Sequence, residues 1–280
     1  MTVWRLSDGL ELSFPPSRAA GVVNVTADSF YSGARSVTPE QAVEDGLRLA
    51  EAGFDLLDVG AVAARSGPPV DADAEIAGLV PAIAGLAERA GVPVMADTFQ
   101  PAVARAALDA GAAAINDISG GSSEMYELVA ERGCGYVLMH IAGPPRVDRP
   151  PPVHDDVVAY VKDWFSERVE QLVAAGVARE QIAIDPGPDF DKGVDDTIEL
   201  VGRIPDLQDL GMPVMAAISR KDYLGAVMAG SWDARPGADE RGPATLAATA
   251  LATAHGAEIL RLHDVEALDA MRVAEAIARG

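Results

Sequence analysis

Val94-Met95-Ala96-Asp97, a helical pattern over residues 101–110, then Ala114-Ile115-Asn116-Asp117: this stretch reads as strand, helix, strand, with a polar residue closing each strand. The device recurs in both directions. Towards the N-terminus, Leu56-Leu57 runs into Asp58 and Gly21-Val22-Val23 into Asn24. Towards the C-terminus, Val137-Leu138-Met139 meets His140, and Ile182-Ala183-Ile184 meets Asp185. The run 214–218 then meets Ser219-Arg220-Lys221, and Ile259-Leu260 meets Arg261-Leu262-His263. Eight apolar runs, each followed by a helical pattern, predict an α/β fold, a TIM (β/α)8 barrel with parallel strands and right-handed crossovers. The C-terminal strand ends of such a barrel converge on one mouth, so residues distant in sequence line a single pocket. One or two polar residues after strands would mean only that loops are polar; eight such termini point to a site.

The helices carry their own punctuation. Thr38 is placed to cap the first, Pro39 fits its first position and Gly53 stops it. Residues 71–89 repeat the device, and further patterns cover 124–132, 153–175, 195–204, 244–255 and 265–278. An open doubly wound sheet is the competing architecture, but Asn24-Val25-Thr26-Ala27 stands where its glycine fingerprint should be. Residues 2–16 read as a hairpin or arm ahead of the barrel. Three connections are long, 26–37, 60–70 and 141–153; the first two fall on the mouth face and read as binding loops, the third as a surface excursion. The 280 residues suit one domain, 1–280, since such barrels take about 250.

A net charge of −21 repels phosphate backbones and anionic membranes, which argues against nucleic acid and membrane partners. The sequence carries no apolar run long enough to span a bilayer and no secretory signal. Its lone Cys134 reads as a small core residue. These features predict a cytoplasmic protein.

The polar termini suggest a chemistry. Asp97 and Asp185 would repel each other unless each accepts hydrogen bonds from a donor-rich ligand such as an aminopyrimidine edge. Asn116 can donate to and accept from the same heterocycle, and Lys221 offers a cation to a ring carbonyl or nitrogen. Arg261 and His263, two apart on one strand, share a face. With Asn24 on the adjacent strand of a closed barrel they form a candidate pyrophosphate or metal–phosphate site. Other polar residues have blander readings. Asp58 is as readily a loop stabiliser, Asp264 the cap of the last helix, His140 a core histidine, and His154 and His255 helix-surface residues. Zinc spacings and a serine nucleophile elbow are absent.

These residues carry a resemblance to the dihydropteroate synthase family. Asn24-Val25-Thr26-Ala27-Asp28-Ser29-Phe30 resembles its loop after strand one. Asp97-Thr98, Asn116-Asp117-Ile118-Ser119-Gly120-Gly121 and Met139-His140 resemble its third, fourth and fifth strand ends. Asp185-Pro186-Gly187 with Phe190 and Lys192, Ser219-Arg220-Lys221 and Arg261-Leu262-His263-Asp264-Val265 resemble the rest. The resemblance implies an enzyme that joins an arylamine, 4-aminobenzoate, to a hydroxymethyl-dihydropterin pyrophosphate, with magnesium as cofactor, acting as a homodimer. It implies that Asp97, Asn116, Asp185 and Lys221 hold the pterin, and that Asn24, Arg261 and His263 hold the pyrophosphate, with Asn24 on the metal. Asn24, Asp97, Lys221, Arg261 and His263 would carry catalysis, and Arg65, Phe190 and Ser219 would border the acceptor.

The departures are equally specific. Where the family's second loop reads D-I-G-G-E-S-T-R-P-G, Glu, Ser and Thr become Val62, Ala63 and Ala64. Ala27 replaces a proline, Ser32 an aspartate and Asp189 a glycine. Pterin and anion residues are kept while the acceptor side is rebuilt, a pattern that resembles a divergent actinobacterial second-copy branch and implies reduced or altered activity. Three readings follow: a pterin transferase, a catalytically inactive pterin-binding or regulatory paralogue, and a pterin-dependent methyl-transfer domain. The Arg261/His263 pair speaks against the third.

Overall fold

The structure is a computed structural model that describes residues 2–25, 36, 38–62, 71–147 and 149–279. Eight parallel strands form the central sheet: β3 (Arg18–Asn24), β4 (Leu56–Gly60), β5 (Val94–Asp97), β6 (Ala114–Asp117), β7 (Gly135–Met139), β8 (Ile182–Asp185), β9 (Met215–Ala216) and β10 (Ile259–Leu262). Their order is β8-β7-β6-β5-β4-β3-β10-β9. The seam closes through a parallel bridge between Ile184 and Val214, with Ile184 N–H donating to Pro213 O at 2.9 Å. The predicted barrel is therefore present, with strand seven reduced from the expected 214–218 to two residues.

Alternation along each strand divides the core. Outward residues, among them Val23, Leu57, Ala96, Ile115, Leu138, Ile184 and Leu260, pack against the surrounding helices. Inward residues of the lower strands, including Ala20, Leu56, Met95, Val137, Ala183, Met215 and Ile259, form a separate cluster with Trp4, Leu6 and Phe14. Those three come from the N-terminal hairpin, β1 (Thr2–Arg5) and β2 (Glu11–Phe14), paired antiparallel. Trp4 Nε1–H donates to Gln181 O at 2.9 Å, just below β8, so the hairpin plugs the barrel floor.

The helices are α1 (Pro39–Ala52), α2 (Ala72–Arg89), α3 (Pro101–Asp109), α4 (Ser123–Arg132), α5 (Val157–Ala174), α6 (Val194–Gly202), α7 (Ile204–Gln208), α8 (Asp222–Ala229), α9 (Gly242–Ala254) and α10 (Val265–Arg279). Thr38 caps α1 by accepting from Gln41 N–H at 3.3 Å, and Gly53 ends it at φ 96°. Three expectations need correction. The pattern over 195–204 is two helices, broken at Arg203, with Pro205 in the first turn of α7. Helix α8 was not foreseen, because its run of Tyr223, Leu224, Ala226, Val227 and Met228 is too apolar to show a period. Helix α5 begins at Val157 rather than 153, so His154 precedes it; it is half-buried, with Nδ1 3.0 Å from Asp196 Oδ2. His255, half-buried at the end of α9, lies 3.3 Å from Val201 O, so neither histidine sits on an open helix surface.

Candidate active site

Strand register sets the first row of the site. Asn24 is level with Gly60, Gly60 with Asp97, and Asp97 with Asn116, so four strand ends form one rung at the mouth. A Cβ at Gly60 would stand 3.3 Å from Asp97 Cβ, a tight contact that would need Asp97 to shift by a few tenths of an ångström. Asp185 closes β8 level with Met139 of β7. Arg261 rises from β10 into the same space.

Arg261 ties the rung together. Its Nη2–H donates to Asp97 Oδ2 at 2.8 Å and its Nε–H to Asp58 Oδ2, while Asn116 Nδ2–H donates to that same Asp58 oxygen at 3.1 Å. Asp58 is fully buried, and its second oxygen, Oδ1, has no hydrogen-bond partner among the described residues. Asp185 Oδ1 accepts from Gly187 N–H at 2.8 Å. Three carboxylates thus share one guanidinium and the nearby lysines. Burial, and next the charge of Asp58, push the Asp97 carboxyl up to about 7 against the pull of Arg261. Burial also raises Asp185, opposed by the Gly187 N–H and by Lys221 and Arg261. Such a pocket favours a ligand that brings hydrogen-bond donors.

A pH dependence follows, with opposite signs for binding and stability. A donor-rich ligand requires ionised Asp97, so its affinity should fall by up to about tenfold per pH unit as pH drops below about 7. The unfolded carboxyl titrates near its ordinary value of about 4, so between about pH 4 and 7 the native state holds the extra proton. Stability from this group therefore declines as pH rises through that window. Calorimetry of pterin binding and thermal melts, each taken from pH 5 to 8, should slope in opposite directions.

The second half of the site comes from the loops after β8 and β9. Lys221, which precedes α8, holds its Nζ 4.3 Å from the centroid of the Phe190 ring. Phe190 and Phe99 pack on Ile118, Met139 and Ile141, giving the mouth an apolar wall against which a flat ring can lie. His263 Nδ1 lies 2.8 Å from Ser219 Oγ. Burial, then the cations Arg261, Arg220 and Lys221, lower its pKa and keep the imidazole neutral. Asp264, foreseen as a cap, directs its carboxylate to Arg220, with Nη2–Oδ1 at 2.8 Å.

Beneath the loop lies Lys192, buried, its ammonium donating to Gly187 O at 3.1 Å and Phe190 O at 2.9 Å and lying 2.8 Å from His140 Nδ1. Burial lowers Lys192 to about 7, and burial together with Lys192 lowers His140 to about 2. His140 is thus a neutral core histidine, edge-on to Trp164 at 4.8 Å, as one sequence reading had it.

The structure brings Asp97, Asn116, Asp185, Ser219, Lys221, Arg261, His263 and Phe190 together around the mouth, with Asn24 on the same rung. Asp58, whose place before Gly60 reads equally well as loop support, joins them through its buried ion pair with Arg261. The Lys192–His140 contact had no sequence signal beyond the family motif, because nothing local marks a lysine as buried. Arg65, with Ala27, Ser32, Ala63 and Ala64, lies outside the described residues. Among the described residues no cluster of three His, Cys, Asp or Glu side chains could cage a metal ion, and no helix is long and apolar enough to cross a membrane.

Fold and site define a parallel α/β barrel with a cluster of polar side chains at its C-terminal mouth, beside an apolar wall that includes Phe99 and Phe190. The family profile described as pterin binding enzyme matches residues 20–263. The chain is 40% identical over 268 residues to dihydropteroate synthase of Mycobacterium leprae, covering 94% of each chain. Among solved structures it is similar to Xanthomonas albilineans dihydropteroate synthase with 4-aminobenzoic acid, with a TM-score of 0.87, 38% identity and 98% of each chain covered. The same enzyme in complex with 7,8-dihydropteroate gives a TM-score of 0.82 and 36% identity over 97% of this chain and 98% of that one. The chain belongs to the pterin-binding enzyme family.

Proposed function

We propose that the protein is a dihydropteroate synthase-type transferase. It binds 6-hydroxymethyl-7,8-dihydropterin pyrophosphate, breaks the bond from the methylene carbon to the pyrophosphate oxygen, and forms a bond from that carbon to an arylamine nitrogen. The amine gives up one proton and pyrophosphate leaves. The observation that carries the reading is the convergence of Asp97, Asn116 and Asp185 with Lys221 beside an aromatic wall. A pterin edge presents an exocyclic amine and ring N–H groups to carboxylates and a carbonyl oxygen to a cation. An arylamine is largely unprotonated at neutral pH and attacks unaided, so positioning and fixed charge supply the catalysis.

Arg261, His263 and Asn24 are assigned to the pyrophosphate. Magnesium enters this reading with that anion, since such ions keep several waters and lean on substrate phosphates; Asn24 would supply its protein oxygen. The family resemblance supports a homodimer.

Turnover with 4-aminobenzoate is expected to be low, because Val62, Ala63 and Ala64 lack the hydroxyls and carboxylate of the family's second loop. Each lost hydroxyl-to-phosphate hydrogen bond costs about 1.5–3 kcal/mol, or roughly ten- to hundredfold. Restoring the loop with Val62→Glu, Ala63→Ser, Ala64→Thr and Ser32→Asp should raise dihydropteroate formation at least tenfold over the unmodified protein. Ordinary turnover before restoration would remove the loop argument. Tight binding of the pterin pyrophosphate in a calorimeter, with no turnover of any arylamine before or after restoration, would instead favour the inactive pterin-binding paralogue that the same substitutions suggest.

A further inference from the structure

The family glycine before Phe190 is replaced here by Asp189, and the structure gives that aspartate a specific task. Its backbone sits in the left-handed region at φ 67°, which glycine adopts freely and aspartate tolerates. Its carboxylate reaches across to α8, where Oδ2 accepts from Asp222 N–H at 2.5 Å and Oδ1 from Tyr223 N–H at 3.1 Å. These are the first two amides of the helix, which have no acceptor within it, and a negative charge there is further favoured by the helix dipole. The next residue in the loop, Phe190, meets the residue just before the helix, Lys221, ring to ammonium at 4.3 Å. Two consecutive loop residues therefore grip three consecutive residues at the start of α8.

Both sides of this grip carry further anchors. The helix side is fixed independently: Arg241 Nη2 lies 2.7 Å from Asp222 Oδ1, Arg241 Nη1–H donates to Arg220 O at 2.9 Å, and Arg220 N–H donates to Thr245 Oγ1 at 3.0 Å. On the loop side, Lys192 donates to Phe190 O at 2.9 Å, Asp189 N–H donates to Thr197 Oγ1 at 3.3 Å and the Phe190 ring packs on Ile118, Met139 and Ile141. The Asp189 carboxylate joins this loop to α8 through two backbone amides. We propose that Asp189 is a positioning residue that clamps the loop after β8 onto the start of α8 and so fixes the Phe190 ring, the acceptor-side wall, relative to Lys221 on the pterin side. A glycine at 189 keeps the turn and loses the clamp. The catalytic consequence rests on the proposed pterin-transfer reading; the clamp itself does not.

The test compares the whole protein with Asp189→Gly, which takes φ 67° without strain and so folds, and with Asp189→Asn, whose carbonyl oxygen retains one of the two acceptors. Amide hydrogen exchange is read at Asp222, Tyr223 and residues 187–192, and calorimetry measures 6-hydroxymethylpterin, which fills the pterin side alone, and dihydropteroate, which spans both sides. In Asp189→Gly, exchange at the two α8 amides should accelerate about tenfold and dihydropteroate should bind about tenfold more weakly, with 6-hydroxymethylpterin changed less than about twofold. Asp189→Asn should fall between. Unchanged exchange overturns the clamp. Unchanged dihydropteroate affinity, or an equal loss for both ligands, overturns the positioning role. If the unmodified protein binds neither ligand, the pterin-transfer reading fails first and the positioning role with it, whereas the exchange measurement still decides the clamp.

Discussion

Replacing Arg261 by methionine is expected to cost about 3–5 kcal/mol of stability, the usual effect of removing one partner from a buried ion pair. The guanidinium is the cation that touches both Asp58 and Asp97, and its removal leaves Asp58, fully buried, with the Asn116 amide alone. A loss of that size should lower the melting temperature by roughly 6–15 °C. The sign with pH identifies the cause. Without the cation the buried negative charge is uncompensated and protonation relieves it, so the defect should be complete at neutral pH and shrink as pH falls. A melt as low at pH 4 as at pH 7 would mean that packing, rather than stranded charge, explains the loss. The variant should also lose pyrophosphate affinity, because the same group is assigned to that anion.

The second large effect is expected from Asp185→Asn and, separately, Asp97→Asn. Each turns an acceptor that faces ring N–H and amine donors into an amide that presents a donor to a donor. The expected loss of pterin affinity is about 2–4 kcal/mol. Folding should be largely spared at position 185, since the asparagine oxygen can still accept from Gly187 N–H. At position 97 the fold should tolerate the change because Arg261 keeps Asp58, and removing a carboxyl already pushed up to about 7 relieves crowding of negative charge. Calorimetry with the pterin pyrophosphate at pH 8, where Asp97 is ionised, checks both. Unchanged affinity in the two variants would remove the pterin assignment.

Most of the barrel was legible because each unit repeats one pattern, an apolar run closed by a polar residue and followed by a helix with its own stop. Strand order and closure then come from chain topology, since parallel strands joined by right-handed crossovers leave few alternatives. The elements that escaped are those without a period: α8, apolar on nearly every side, and the break at Arg203 between α6 and α7. The site was legible as a list of residues but not as a network. Asp97, Asn116 and Arg261 announce themselves at strand ends, yet their link to Asp58, two residues below Gly60 on the same face of β4, arises from the register of neighbouring strands and the inward reach of one arginine. Pairings across 164 and 203 residues leave no mark on local sequence. Asp189 was visible as a departure from the family, whereas its use as a brace for α8 required knowing which helix start it faces.

The hairpin under the barrel has a consequence for traffic. With Trp4, Leu6 and Phe14 seated in the floor, a ligand does not pass through the barrel from below and reaches the site from the mouth side. The groups proposed to receive the pterin, Asp97, Asn116 and Asp185, lie on the strands themselves, whereas Phe190, proposed to border the amine, stands on the loop above. Whatever occupies the deep position must arrive before its shallower neighbour and depart after it. Order of addition then follows from the vessel's shape. In the proposed reaction the joined product withdraws along its whole length, which predicts product release as the slow step.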